Sequence, residues 1–158
     1  MSTSSTIRLW RLVKTEHIKS AFDGEGAFRF GGRWNSRGQR VVYASGSLSL
    51  ATLEILVHID PAGHLPKLSA FSIDLPVKRL QVEDYSKLDH ISGGLPWHLG
   101  QTRAWGDAWR QSQTTPALQV PSSIVPHEQN YLLNPSHPSF DRLTIGEPQD
   151  FSLDSRLN

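Results

Sequence analysis

SLSLATLEILVHI, residues 47–59, is the stretch on which the reading of this chain turns. It is long and apolar enough for a helix, and Pro61 is placed to stop it. Hydrophobic side chains on most of its sides predict that it is buried. Immediately upstream, RVVYA at 40–44 is a short β-favouring run. Further upstream, IRLWRLV at 7–13 predicts a first strand and residues 17–22 a short helix. Between these, residues 23–39 carry glycine, arginine and asparagine with no sustained period, which predicts a long loop or an irregular hairpin. Loops of that length in compact domains are often functional. Downstream, residues 68–75 alternate as a strand, and residues 99–111 predict a second helix with Trp105 and Trp109 one turn apart on its core side. From Ala117 the composition shifts to ALQVPSSIVPHEQNYLLNPSHPSF, read as a strand, an ordered loop and then a closing strand near 143–145. Helices and strands mix without βαβ alternation and without internal repeats, so the expected class is α+β.

At 158 residues the chain has the size of one domain with a real core, and residues 1–158 are read as a single domain. Hydrophobic residues at 37% and charged residues at 20% describe a globular chain rather than a disordered one. Cysteine is absent, which excludes thiol catalysis, disulfide scaffolds and cysteine-ligated zinc. MSTSSTIRLW at the N-terminus has no signal-peptide core, and no stretch approaches the roughly 20 apolar residues of a membrane span. The expected location is therefore cytoplasmic, with no membrane partner. A net charge of +1 gives no general attraction to nucleic acid, so any anion must be recognised by local arginines. Arg29, Arg33, Arg37 and Arg40 supply such a cluster, interleaved with Phe30 and Trp34.

Glu54 is the carboxylate that needs explaining. Its neighbours three and four positions away are Leu50, Ala51, Val57 and His58, a setting in which an unpaired charge is costly. It therefore points to the rim, pairs with a cation, or belongs to a cleft; placement alone leaves a structural salt bridge and a functional role both open. The candidate cations are Arg11 on the first strand and Arg33 in the glycine-rich loop, since a planar guanidinium holds two phosphate oxygens at once. Gly31 and Gly32 would let the backbone approach a ligand, although the segment is neither a Walker loop nor a dinucleotide fingerprint. Tyr43 ends the short strand, where its ring would stack on a flat heterocycle or simply fill the core. Ser122 and Ser123 follow Pro121 at a strand end, and either hydroxyl would orient a ligand; no nucleophile elbow marks a serine nucleophile. The seven histidines show no metal-ligand spacing, so no metal is expected.

Taken in order, LWRLV (9–13), GGRWNSRGQRVVYAS (31–45), SLATLEILVH (49–58), VPSSIVP (120–126) and NYLLNPSHP (130–138) resemble the RES-domain family, the toxin half of bacterial RES–Xre toxin–antitoxin pairs. The resemblance covers about residues 7–140, and five blocks in the right order are far more specific than any one. It implies a fold related to ADP-ribosyltransferases of the diphtheria-toxin kind, with NAD as substrate in a cleft and cellular NAD depletion as the outcome. It implies cleavage of the nicotinamide–ribose bond, as an NAD hydrolase or phosphorylase. Carried over by position, the family's arginines fall on Arg11 and Arg33, its tyrosine on Tyr43, its glutamate on Glu54 and its serine on Ser122, with Ser123 the weaker match. Glu54 would then stabilise an oxocarbenium-like transition state, Arg11 and Arg33 would bind the diphosphate or the adjacent ribose, Tyr43 would pack on the nicotinamide, and Ser122 would position the nicotinamide ribose. The partner implied is an Xre-type helix-turn-helix antitoxin that covers the cleft, so that contact with DNA is indirect. Apolar surface on the final strands would support a homodimer. Two competing readings stand beside this one: ADP-ribosyl transfer to a host protein, and, from a different class, an RNA-binding module in which Arg29 to Arg40 act with Phe30 and Trp34 as stacking platforms.

Overall fold

The computed structural model describes residues 5–60, 62–88 and 97–157. The expected helix stop at Pro61 and the first four residues of the N-terminal stretch lie outside the described residues. The chain forms one mixed sheet with helices, the α+β class expected. Its strands are β1 (Thr6–Lys14), β2 (Val42–Ser45), β3 (Leu68–Pro76), β4 (Leu80–Gln81), β5 (Ala117–Pro121), β6 (Gln129–Leu133), β7 (Thr144–Ile145) and β8 (Gln149–Phe151). They run in the order β4-β5-β6-β2-β1-β3-β7, with β8 also on β3; every pairing is antiparallel except β4 with β5. The helices are α1 (Glu25–Phe30), α2 (Leu48–Leu56) and α3 (Leu99–Ser112). Among the described residues no helix is long and apolar enough to cross a membrane.

The pairing pattern explains where a cleft opens. β1 pairs with β3 along its whole length, from Thr6↔Pro76 to Lys14↔Leu68, but meets β2 at the single register pair Trp10↔Ser45. The sheet therefore parts between β1 and β2, while the Leu9, Val42, Ala44, Ile73 and Leu133 side chains hold the two halves together from one face. α2 closes the other side, packing Ala51 against Leu12 and Ala70. Its start is set by Ser47, whose side chain accepts a hydrogen bond from the Leu50 N–H at 3.1 Å.

Four expectations need correction. α2 is not buried all round: Leu50 and Ala51 are, but Leu53 and Val57 are 41% and 60% exposed, because the helix rests on the sheet by one face only. Residues 23–39 are not all loop. Six of them form α1, which is too short to show a helical period, and Gly31 ends it at φ 71°, a conformation that favours glycine. The helix expected at 17–22 is instead a pair of 3-10 turns at Thr15–Ser20, kinked at His17. Finally, the ordered loop expected after β5 contains a full strand, β6, whose QNYLL is masked by flanking prolines and serines. Trp109 is core as expected, with Trp105 packed against the same cluster.

Candidate active site

The parted sheet and α2 enclose a cleft of about 800 Å³, within the usual range for small-molecule sites. Arg11, Arg33, Tyr43 and Glu54 all line it, arriving from β1, the segment before β2, β2 and α2. The structure thus brings together four of the five residues carried over by position.

Glu54 faces this cleft rather than a cation, and among the described residues it has no ion-pair partner. Instead one carboxylate oxygen, Oε1, accepts from Ser122 Oγ at 2.7 Å and from Asn130 Nδ2 at 2.6 Å. Asn130 is oriented in turn by Ser45, whose hydroxyl donates to its Oδ1 at 2.8 Å. Two donors on one oxygen fix the carboxylate's orientation and leave Oε2 without a hydrogen-bond partner among the described residues.

Ser122 is where the structure departs from expectation. It is fully buried behind Glu54, and it is Ser123 that lines the cleft. The Ser122 hydroxyl donates to Glu54 and accepts from the Ile124 and Val125 N–H groups at 3.1 and 3.0 Å, so its one proton and two lone pairs are all in use. All of these bonds go to Glu54 and to the loop backbone, and none is directed into the cleft.

The Arg11 guanidinium is anchored by backbone, with Nε donating to the Ala21 carbonyl at 2.7 Å and Nη1 to the Tyr43 carbonyl at 2.8 Å. Burial pushes its pKa down to about 10, against the opposing pull of Asp23, so it is still a cation at neutral pH. Arg33 is less satisfied: its Nη1 is buried without a hydrogen-bond partner among the described residues. A buried guanidinium nitrogen without a partner, on a residue that lines a cleft, is an exception that calls for an explanation such as a bound water, ion or ligand.

Tyr43 presents its ring to the cleft while its hydroxyl serves the glycine-rich segment, donating to Asn35 Oδ1 at 2.6 Å and accepting from the Trp34 N–H at 3.0 Å. Burial raises its pKa, so the phenol stays protonated and keeps donating. Asn35, fully buried, returns its Nδ2 to the Ala27 and Ser36 carbonyls. Gly32 completes the knot: a Cβ there would lie 2.5 Å from the Tyr43 hydroxyl oxygen. Tyr43→Phe strands the Trp34 N–H and the Asn35 side-chain Oδ1, so it is expected to lower stability by about 1–2 kcal/mol, read as a melting point about 2–8 °C lower. An unchanged melting point would mean that water replaces both bonds.

The segment read as an RNA platform keeps Phe30 and Arg37 exposed but buries Trp34. Trp34 is only 2% exposed, and Arg29 and Arg40 are both tied to Glu25 at 2.7 Å. Among the described residues no group of three or more His, Asp or Glu side chains could hold a metal ion. Two cleft residues had no legible signal. Asn130 opens a strand hidden in a polar stretch, and Arg103 reaches the cleft from α3 only because that helix packs under the glycine-rich segment.

The chain is similar to several known proteins. Residues 8–154 match the family profile described as RES domain. A protein of Photorhabdus laumondii named "Toxin Res" is 36% identical over 94% of this chain and 96% of its own length. A protein of Sphingobium sp. named "Prs ADP-ribosylating toxin" is 34% identical over 96% of this chain and 97% of its own. Among solved structures, one titled as the M. tuberculosis MbcT-MbcA toxin-antitoxin complex superposes with a TM-score of 0.72 at 19% identity, covering 94% of this chain and 86% of the matched one.

Proposed function

This chain belongs to the RES domain family, and from that premise we propose that it is the toxin of a toxin–antitoxin pair, an enzyme that binds NAD and breaks the bond between nicotinamide and ribose. The observation that carries the reading is Glu54, one oxygen held by Ser122 and Asn130 and the other without a hydrogen-bond partner among the described residues, on the wall of a cleft otherwise rich in guanidinium groups. A carboxylate so fixed suits a reaction in which positive charge develops on carbon.

In that reaction the glycosidic C–N bond breaks and nicotinamide leaves, neutral, with the bonding pair. The ribose takes on oxocarbenium character, which the Glu54 carboxylate stabilises electrostatically, as carboxylates do in glycoside hydrolysis. Water or phosphate then adds through oxygen to the anomeric carbon, water losing a proton to the medium. Arg33, with its orphaned Nη1, binds the anionic part of the substrate; Arg11 supports it from β1; the Tyr43 ring packs on the nicotinamide. Ser122 acts through Glu54 rather than on the ribose.

A second reading, transfer of ADP-ribose to a protein, is favoured by the name of the Sphingobium relative. The partner proposed is an Xre-type antitoxin seated over the cleft mouth, in keeping with the toxin–antitoxin complex among the structural neighbours. Val57 and Leu99, 60% and 39% exposed on the cleft wall, offer apolar surface to it. The test is nicotinamide release from NAD by the purified chain, with and without inorganic phosphate. Release that needs phosphate identifies a phosphorylase and release without it a hydrolase; release only when a protein acceptor is added selects the transferase.

A further inference from the structure

Arg103 was not among the residues that pattern or family resemblance picked out, yet it sits on the cleft wall one turn after Leu99, on the face of α3 that lies under the glycine-rich segment. Its Nε donates to the Gly32 carbonyl at 2.9 Å. One of its terminal nitrogens lies beside Gly31, 3.1 Å from where a Cβ would stand. The guanidinium is thus oriented by one bond, with its two terminal nitrogens making no hydrogen bond among the described residues.

Charge gives this placement its meaning. Three guanidinium groups line the cleft, those of Arg11, Arg33 and Arg103, against the single carboxylate of Glu54. None of the three is in an ion pair among the described residues, whereas Arg8, Arg29, Arg40 and Arg156 on the outer surface each bond a carboxylate. Arg11 already spends Nε and Nη1 on main-chain carbonyls. Arg33 and Arg103 therefore hold most of the unspent donors, and they flank one turn: Arg33 follows Gly32, and Arg103 binds the Gly32 carbonyl from below. Gly31 and Gly32 let that turn pack closely, since a Cβ at 31 would meet the Arg103 guanidinium and one at 32 the Tyr43 hydroxyl.

We infer that Arg103 and Arg33 form a two-guanidinium clamp for the diphosphate of the dinucleotide, so that Arg103 makes the site select a diphosphate-bearing substrate over the bare nucleoside. This rests on the NAD reading above. Planar guanidinium forks pair with phosphate oxygens two at a time, which suits a doubly charged diphosphate. Arg103 is thereby a specificity residue that touches the substrate far from the bond that breaks.

The experiment compares wild type with Arg103→Met, which keeps the aliphatic stem, using two probes. Calorimetry measures binding of ADP-ribose, which carries the diphosphate; kinetics measure nicotinamide release from NAD and from nicotinamide riboside, which has no phosphate. The expected result is ADP-ribose binding and kcat/KM for NAD both weakened about 10- to 100-fold, mostly through KM, with nicotinamide riboside cleavage unchanged. Equal losses on NAD and nicotinamide riboside would reduce Arg103 to a strap for the Gly32 turn and overturn the inference, as would no loss on either. If Arg103→Met does not fold, Arg103→Lys takes its place: a loss confined to the diphosphate ligands upholds the clamp, and any other pattern overturns it. Wild type that binds no ADP-ribose and releases no nicotinamide would instead defeat the NAD reading itself.

Discussion

Glu54→Gln is expected to lower nicotinamide release from NAD roughly 100- to 1000-fold while leaving fold and ligand binding almost untouched. The substitution is clean because of how the carboxylate is held. Ser122 and Asn130 both donate to Oε1, so the glutamine carbonyl oxygen takes that place and keeps both bonds. Its amide then stands where Oε2 stood, facing the cleft. Shape and hydrogen bonding survive; the negative charge does not, and an amide N–H replaces an acceptor beside the developing cation. Melting temperature and ADP-ribose affinity, measured in parallel, should stay near wild type. A variant that keeps a tenth or more of the wild-type rate would show that the reaction does not depend on charge at position 54. A variant that loses ADP-ribose binding as well would move Glu54 from the chemical step to ligand binding.

How much of this was legible beforehand depended on whether a residue's role is local or tertiary. β1, β2, α2, β3 and α3 announce themselves by apolar patterning, and the α+β class follows from their mixture. Glu54 was conspicuous because a carboxylate among Leu50, Ala51 and Val57 needs a reason, and the cleft supplies it. The role of Ser122 was not legible, since nothing along the chain says that its hydroxyl turns inward to Glu54 and to the next backbone amides while Ser123 faces the cleft. Trp34 misled for the same reason: amid arginines and glycines it looks like an exposed stacking ring, yet it packs against Tyr85 and Trp97. Arg103 and Asn130 take their meaning from contacts across 71 and 76 residues of chain, which no window of sequence contains.

Gly106→Ala should cost about 3 kcal/mol and disable the site from a position that does not line the cleft. Helix propensity alone predicts the opposite, because alanine in place of glycine inside a helix gains about 1 kcal/mol. The contact decides the sign. A Cβ at 106 would fall 1.7 Å from the Trp34 carbonyl oxygen and 2.8 Å from its carbonyl carbon, and backbone cannot rotate aside as a side chain would. Relief requires α3 to lift off the segment it supports. That segment is held along one helix face: Thr102 Oγ1 donates to the Arg33 carbonyl, Arg103 Nε to that of Gly32, Arg110 Nε to that of Arg40, and Asp107 accepts from the Ser36 N–H. Lifting the helix loosens all four, and with them the placement of Arg33 and Arg103 in the cleft. The expected outcome is a melting point roughly 6–12 °C lower together with weakened ADP-ribose binding at temperatures where the variant is still folded. A melting point at or above wild type would mean that propensity wins and that α3 is free to shift without strain. A lower melting point with full ADP-ribose affinity would mean that the arginines keep their places without the helix beneath them.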